Sequence, residues 1–387
     1  LYHVGSKDEQ EDRTGFAHFF EHLLFEGTKN IERGKWSTIV SANGGRNNAY
    51  TTDDFTYYYE VFPSNNLELG LWLESERMLH PVINKIGVDT QNEVVKEEKR
   101  LRYDNSPYGN WMKYVRENLF VNHPYKRMPI GKMEHLDAAT LEEFIAFNKK
   151  YYSPNNAVLV IAGDLDIEKT KKMVSDYFSS IPKGKKVARN YPKEIPISSA
   201  LEAEAFDQNI QIPALFTAYR IPDQTTRESK ILDMISTYLS DGKSSKLYRK
   251  LVDEQKMSLQ VTAFNISLED YGMYVILTLP QGETSLAILR DEIDEEIEKI
   301  QTSLISQKDY EKLLNKFESR FVSSNASVEG IANSLAEYYT FYGDTNLINS
   351  EIDIYRSITR EEIRDVANKY LNAKQRLTLN YLPESKK

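Results

Sequence analysis

The stretch GFAHFFEHLLFEGT, residues 15–28, sets His18, Glu21 and His22 inside an otherwise apolar segment. Burying ionisable groups among Phe and Leu costs free energy unless each finds a partner, and the adjacent sequence offers no obvious counter-ion. Two histidines four apart on a helix lie about 40° apart around the axis and one turn along it. Both imidazoles can then reach one ion at the roughly 2.0–2.1 Å zinc–nitrogen distance. Glu21, three after His18, leans over the same site, and the order H-x-x-E-H is the inverted form of a zinc-hydrolase motif. A glutamate so placed is a general base toward a water that a metal activates. One histidine on an apolar helix face is more often a hydrogen-bonded core residue. The whole pattern is harder to dismiss, because this composition yields a chance H-x-x-[DE]-H only about 0.01 times.

Two histidines hold zinc poorly; catalytic sites have three protein ligands and keep one position open. The chain has no cysteine, which excludes disulfides and thiolate ligands. His3, His80, His123 and His135 are isolated and read as surface or turn residues. The third ligand is therefore expected to be a carboxylate on another helix. The run NEVVKEEKR offers Glu93, Glu97 and Glu98, and spacing alone does not choose among them.

These groups need a scaffold, and 387 residues exceed one ordinary hydrophobic core, so two domains are expected. The stretch 179–200, with three prolines and a lysine run, reads as a linker. On either side of it a pattern repeats. TLEEFIAFNKKYY from Thr140 matches TREEIRDVANKYL from Thr359, each a capping-box Thr followed by acids and an amphipathic helix. NAVLVIAG follows the first and QRLTLNYL the second, both strand-like. LYHVGSKDE reads as part of a strand, and so does DDFTYYYEVF. LELGLWLESERML, TQNEVVKEEKRLRYD and SLAILRDEIDEEIEKIQ read as helices, and FNISLEDYGMYVILTLP as two strands about an acidic turn. Without regular βαβ alternation this mixture predicts an α+β fold of two homologous domains, 1–185 and 186–387. Each should be a mostly antiparallel sheet with helices packed on one face, the first bearing the metal and the second lacking ligands for it.

The net charge of −9 argues against a nucleic-acid partner. No apolar run reaches the 18 residues of a membrane span. SDGKSS, 240–245, has the end of a phosphate loop, but Thr237 stands where that motif needs glycine.

HVGSKDEQEDRTGFAHFFEHLLFEGT, ANGGRNNAYTTDDFTYYYEVF and NEVVKEEKRLRYDNSPYG together resemble the zinc-bearing half of the pitrilysin/insulinase family of metallopeptidases. The likeness continues through SPNNAVLVIAGD, covers most of the chain, and is greatest to the shorter members related to mitochondrial processing peptidase. It implies one Zn2+ per chain held by His18, His22 and Glu98, with Glu21 as the catalytic base. It implies that Asn48, Ala49 and Tyr50 pair with a peptide substrate as an added strand. Glu93 and Glu97 become flanking or supporting acids, and Gln91 stands where the family usually carries a supporting acid. The family's other half presents an Arg and a Tyr seven positions apart to the substrate carbonyl; here those places hold Val252 and Leu259. The resemblance thus implies a zinc endopeptidase subunit that needs a homologous subunit, or a C-terminal half, carrying the Arg/Tyr pair. A homodimer is the weaker form of that expectation, and a non-catalytic structural or substrate-holding subunit is the alternative function. The expected location is bacterial periplasm or cytoplasm rather than a mitochondrial matrix.

Overall fold

The computed structural model describes residues 1–384. They form two compact units built from interleaved segments: 1–100, 127–191 and 325–345 make unit 1, and 101–126, 192–324 and 346 onward make unit 2. The change of unit at Tyr191/Pro192 falls inside the proline- and lysine-bearing stretch.

Unit 1 contains α1 (Phe16–Leu23), α2 (Trp36–Ala42), β1 (Arg46–Thr51), β2 (Thr56–Val61), α3 (Leu67–Leu79) and α4 (Lys85–Lys99). It also holds α6 (Met133–Asp137), α7 (Leu141–Tyr151), α8 (Ile167–Phe178) and α12 (Val328–Glu337). Unit 2 contains α5 (Trp111–Leu119), β3 (Leu201–Asp207), β4 (Ala214–Ile221), α9 (Arg227–Ser240), β5 (Ser258–Ser267) and β6 (Gly272–Pro280). It is completed by α10 (Leu286–Thr302), α11 (Gln307–Ser324), α13 (Leu347–Ser357), α14 (Arg360–Tyr370) and β7 (Arg376–Pro383).

The sheet of unit 2 runs β3-β7-β4-β6-β5, parallel only between β3 and β7. Its central strand β4 is apolar on both faces because both are covered. Leu215, Tyr219 and Ile221 pack with residues of α9, α10 and α14, whereas Ala214, Phe216 and Ala218 pack with Val115 and Leu119 of α5.

In unit 1, β1 and β2 form an antiparallel hairpin in which Ala49 faces Tyr58 and Thr51 faces Thr56. Tyr2 extends it through isolated bridges to Thr56 and Ala157. The strand expected at NAVLVIAG is not formed: after Ala157 the chain is extended but joins no ladder. A cavity of about 550 Å³ is lined by both Tyr57–Phe62 and Ala157–Ala162. The Leu1 nitrogen donates to Val158 O (2.9 Å).

The repeat seen in the sequence folds as a repeat. Thr140 and Glu143 close a capping box on α7, and Thr359 and Glu362 close one on α14. Each capping glutamate also takes an arginine, Arg13 Nε to Glu143 at 2.9 Å and Arg227 Nε to Glu362 at 2.7 Å. The duplication therefore extends to an ion pair the helix pattern did not reveal.

Candidate metal centre

α1 has eight residues, too few for an isolated helix to persist in water, so its position depends on packing and on its ends. Phe16, Phe19, Phe20 and Leu23 are buried, the first three against Phe144 of α7. Gly15 sits at φ +94°, and its backbone crosses so close to Gly131 that a Cβ on Gly131 would lie 2.3 Å from Gly15 N. Only glycine allows that approach.

Buried side chains hold both ends of α1 through hydrogen bonds to its terminal backbone groups. At the start, the Glu9 carboxyl oxygens accept from Gly15 N (2.9 Å) and Ala17 N (2.8 Å). Burial pushes its pKa up to about 8, against the downward pull of those two amides. Just past the other end, Arg77 Nη1 donates to Leu24 O at 3.0 Å. Its guanidinium stacks over Phe25, Trp36 and Tyr58, 4.6, 4.1 and 4.4 Å from the ring centres. The hairpin adds two more ties: Tyr58 OH donates to Phe20 O (2.9 Å), and Thr51 Oγ1 donates to Glu21 Oε2 (2.6 Å).

This scaffold puts His18 and His22 on the side of α1 that meets α4. Glu98 Oε2 lies 3.0 Å from His22 Nε2 and 3.5 Å from His18 Nε2. One ligand atom from each of the three residues falls within 4.8 Å of the others, the one such trio of His and carboxylate groups among the described residues. Hydrogen bonds from His18 and then His22 hold the Glu98 carboxyl far below the ordinary carboxylate range. His18 Nδ1 is buried without a hydrogen-bond partner. Two imidazole nitrogens and one carboxylate, partly shielded from solvent, are a donor set that fits a zinc ion.

Of the other acids on α4, Glu97 pairs with Arg100 (2.5 Å) and Glu93 with Lys96 (3.1 Å), the latter with its side chain 76% exposed. Gln91 Nε2 reaches Glu26 at 2.5 Å, and Glu26 in turn pairs with Arg33. Asn48, Ala49 and Tyr50 lie on β1, whose second edge pairs with no strand among the described residues. Tyr50 OH donates to Asn333 of α12 (2.7 Å). Val252 packs at the core of unit 2 and Leu259 is 49% exposed on β5.

Among the histidines set aside, His123 is not a surface residue. It is 1% exposed, its ring against Tyr125 and Tyr271 and its Nε2 3.5 Å from Asp270. Its aromatic setting comes partly from the distant Tyr271, which local sequence does not reveal. Glu9, Thr51 and Arg77 were not singled out either. Thr51 and Arg77 act across 30 and 53 residues, and Glu9 is one acid among several in KDEQED.

Residues 1–130 match the family model described as insulinase (peptidase family M16), and residues 138–317 match that of the peptidase M16 inactive domain. The zinc protease PqqE of Helicobacter pylori is 30% identical over 390 residues, spanning 99% of this chain and 86% of its own length. The chain belongs to the insulinase family of peptidases. An uncharacterized zinc protease of Streptomyces coelicolor is 22% identical across 97% of this chain and 83% of its own. The crystal structure of a protease from Helicobacter pylori superposes with a TM-score of 0.92 at 28% identity, over 98% of this chain and 92% of that one. The periplasmic protease PqqL from Escherichia coli shares the insulinase-family fold at 19% identity and TM-score 0.77, matching 98% of this chain but only 44% of that chain.

Proposed function

We propose that this insulinase-family chain is a zinc-dependent endopeptidase subunit acting on peptides or unfolded segments. The observation that carries the reading is the convergence of His18 Nε2, His22 Nε2 and Glu98 Oε2 from two helices. A bound zinc there would supply a Lewis acid for the scissile carbonyl and make an attacking water more acidic. Glu21, on the same helix as both histidines, takes the proton from that water and returns it to the leaving amine. β1 receives the substrate at its open edge as an added antiparallel or parallel strand, so Asn48, Ala49 and Tyr50 contribute backbone groups that hold an extended peptide in register. Phe16, Phe19 and Phe20 keep α1 packed from behind, which limits water around the ligands.

A partner half belongs to this reading. Val252 and Leu259 cannot donate a hydrogen bond to a developing oxyanion, and loss of one such donor costs about 10²–10³ in rate. A homologous subunit or C-terminal half carrying an Arg/Tyr pair would restore it; the greater length of PqqL, a fold relative, agrees with such an arrangement. The test is metal analysis of the purified chain with peptide turnover measured with and without chelator, beside Glu21→Gln. Stoichiometric zinc with chelator-sensitive turnover, lost in Glu21→Gln, is expected. Metal-free protein, or turnover that survives Glu21→Gln, overturns the reading.

A further inference from the structure

The hairpin touches the presumed base directly. Thr51 ends β1, and its hydroxyl donates to Glu21 Oε2 at 2.6 Å, the one hydrogen bond to that carboxylate among the described residues. The backbone that presents the hydroxyl is fixed on both sides. Before it, Tyr50 pairs with Tyr57 and hydrogen-bonds Asn333. After it, Thr52 Oγ1 accepts from Asp54 N (3.1 Å) and Phe55 N (3.0 Å), closing the turn. That turn is itself held by Ser6 Oγ to Asp53 (3.1 Å) and by Lys7 to Asp54 (2.9 Å), with both aspartates 2% exposed.

The two adjacent threonines therefore do different jobs: Thr52 shapes the turn, and Thr51 faces α1. A shift of one residue along β1 would send this hydroxyl to the opposite face, so its direction is tied to strand register. A β-branched side chain adds stiffness at χ1. β1 is also the strand whose free edge would carry the peptide.

Resting on the peptidase reading, we propose that Thr51 is a positioning residue that fixes the Glu21 carboxylate relative to the substrate-bearing strand. One hydrogen bond then ties two distances together, from base to helix and from base to bound peptide. The hydroxyl occupies Oε2, leaving Oε1 to take the proton of the attacking water. A glutamate freed from Thr51 can adopt other rotamers, most of them unproductive, without loss of substrate contacts on β1.

The experiment compares wild type, Thr51→Val and Thr51→Ser as full-length zinc-loaded protein. Thr51→Val keeps the shape and removes the hydroxyl; Thr51→Ser restores it. Expected are unchanged zinc stoichiometry, KM within twofold, and a kcat about 10- to 100-fold lower in Thr51→Val, the range for one hydrogen bond to a charged group. Thr51→Ser should recover most of that loss. Wild-type kcat in Thr51→Val, or an equal loss in Thr51→Ser, overturns the positioning role. The contact is tested separately from activity by urea unfolding of metal-free Thr51→Val, Glu21→Ala and the double variant. Coupled effects are expected, and additive ones overturn the contact. A wild type without chelator-sensitive turnover would remove the peptidase reading and the catalytic role of Thr51 together, while the unfolding cycle would still judge the contact.

Discussion

Replacing Glu9 by Ala removes the acceptor of two buried amides at the start of the helix that carries His18, Glu21 and His22. Leaving one buried donor unsatisfied costs about 1–3 kcal/mol, so the pair amounts to about 2–6 kcal/mol. In a unit of this size that lowers Tm by roughly 5–20 °C. The first turn of α1 should loosen before the rest, moving His18 with it, and zinc affinity should fall about 10- to 100-fold, as when outer supports of a metal site are lost. Urea unfolding of the metal-free protein and competition titration with a zinc chelator measure the two effects. Glu9→Gln adds a pH signature. Burial raises the folded pKa of Glu9 to about 8 from an ordinary value of 4.5. Its stabilising contribution is then full below pH 4.5 and declines as pH rises through 8. Wild type should lose stability relative to Glu9→Gln across that window, because glutamine does not titrate. A Tm for Glu9→Ala within 2 °C of wild type, as an approximate margin on that scale, together with unchanged zinc affinity, would refute the argument that this carboxylate holds α1.

Glu98→Ala should lose most of the zinc seen by elemental analysis, whereas Glu97→Ala and Glu93→Ala retain it; the reverse result would overturn the choice of ligand. In metal-free protein, the two imidazoles lower the folded pKa of Glu98, so its stabilisation is present above about pH 4.5 and is lost as pH falls through the lowered value. Acid unfolding of Glu98→Gln should show a shallower loss in that range than wild type, and parallel curves would contradict it. Turnover per chain should be low for the isolated protein and rise on adding a homologous subunit with an Arg/Tyr pair. Full activity at every dilution of a monomer, tracked by analytical ultracentrifugation, would dismiss the partner.

The spacing of His18, Glu21 and His22 was legible because one local helix positions all three. Glu98 was not legible from spacing, and the reason lies in two adjacent valines. If Val94 faced the core, Glu97 would be as good a choice as Glu98; the structure buries Val95 and leaves Val94 42% exposed, which turns Glu98 toward α1. That choice of helix face is made by packing, not by α4 itself, and only family resemblance anticipated it. The paired capping boxes were legible for the same local reason as the histidines. The misread strand at NAVLVIAG shows the converse: apolar composition predicts an extended chain, but a ladder also needs a neighbour within hydrogen-bond reach. Thr51 and Arg77 carry no local pattern, since their partners are set by the tertiary fold, whereas Glu9 acts on amides six and eight residues on and is hidden only by the other acids of KDEQED.

The inclusion of 325–345 in unit 1 has a consequence for how the protein is made. Ala336 and Phe341 pack with Phe55 and Tyr57 of the hairpin region, and Glu329 pairs with Arg46 of β1. During synthesis at about 5–20 residues per second, the first unit must wait until residues 325–345 have emerged before its hairpin is covered. Until then β1 and β2 leave the ribosome with the aromatic side chains of Phe55 and Tyr57 uncovered, a state open to association with other nascent chains. Such distant closure also makes folding slow, because loop entropy is lost before the contact forms. A fragment ending near residue 185 would carry every candidate zinc ligand and still lack the helix that covers its hairpin, so truncation there does not yield a complete unit 1.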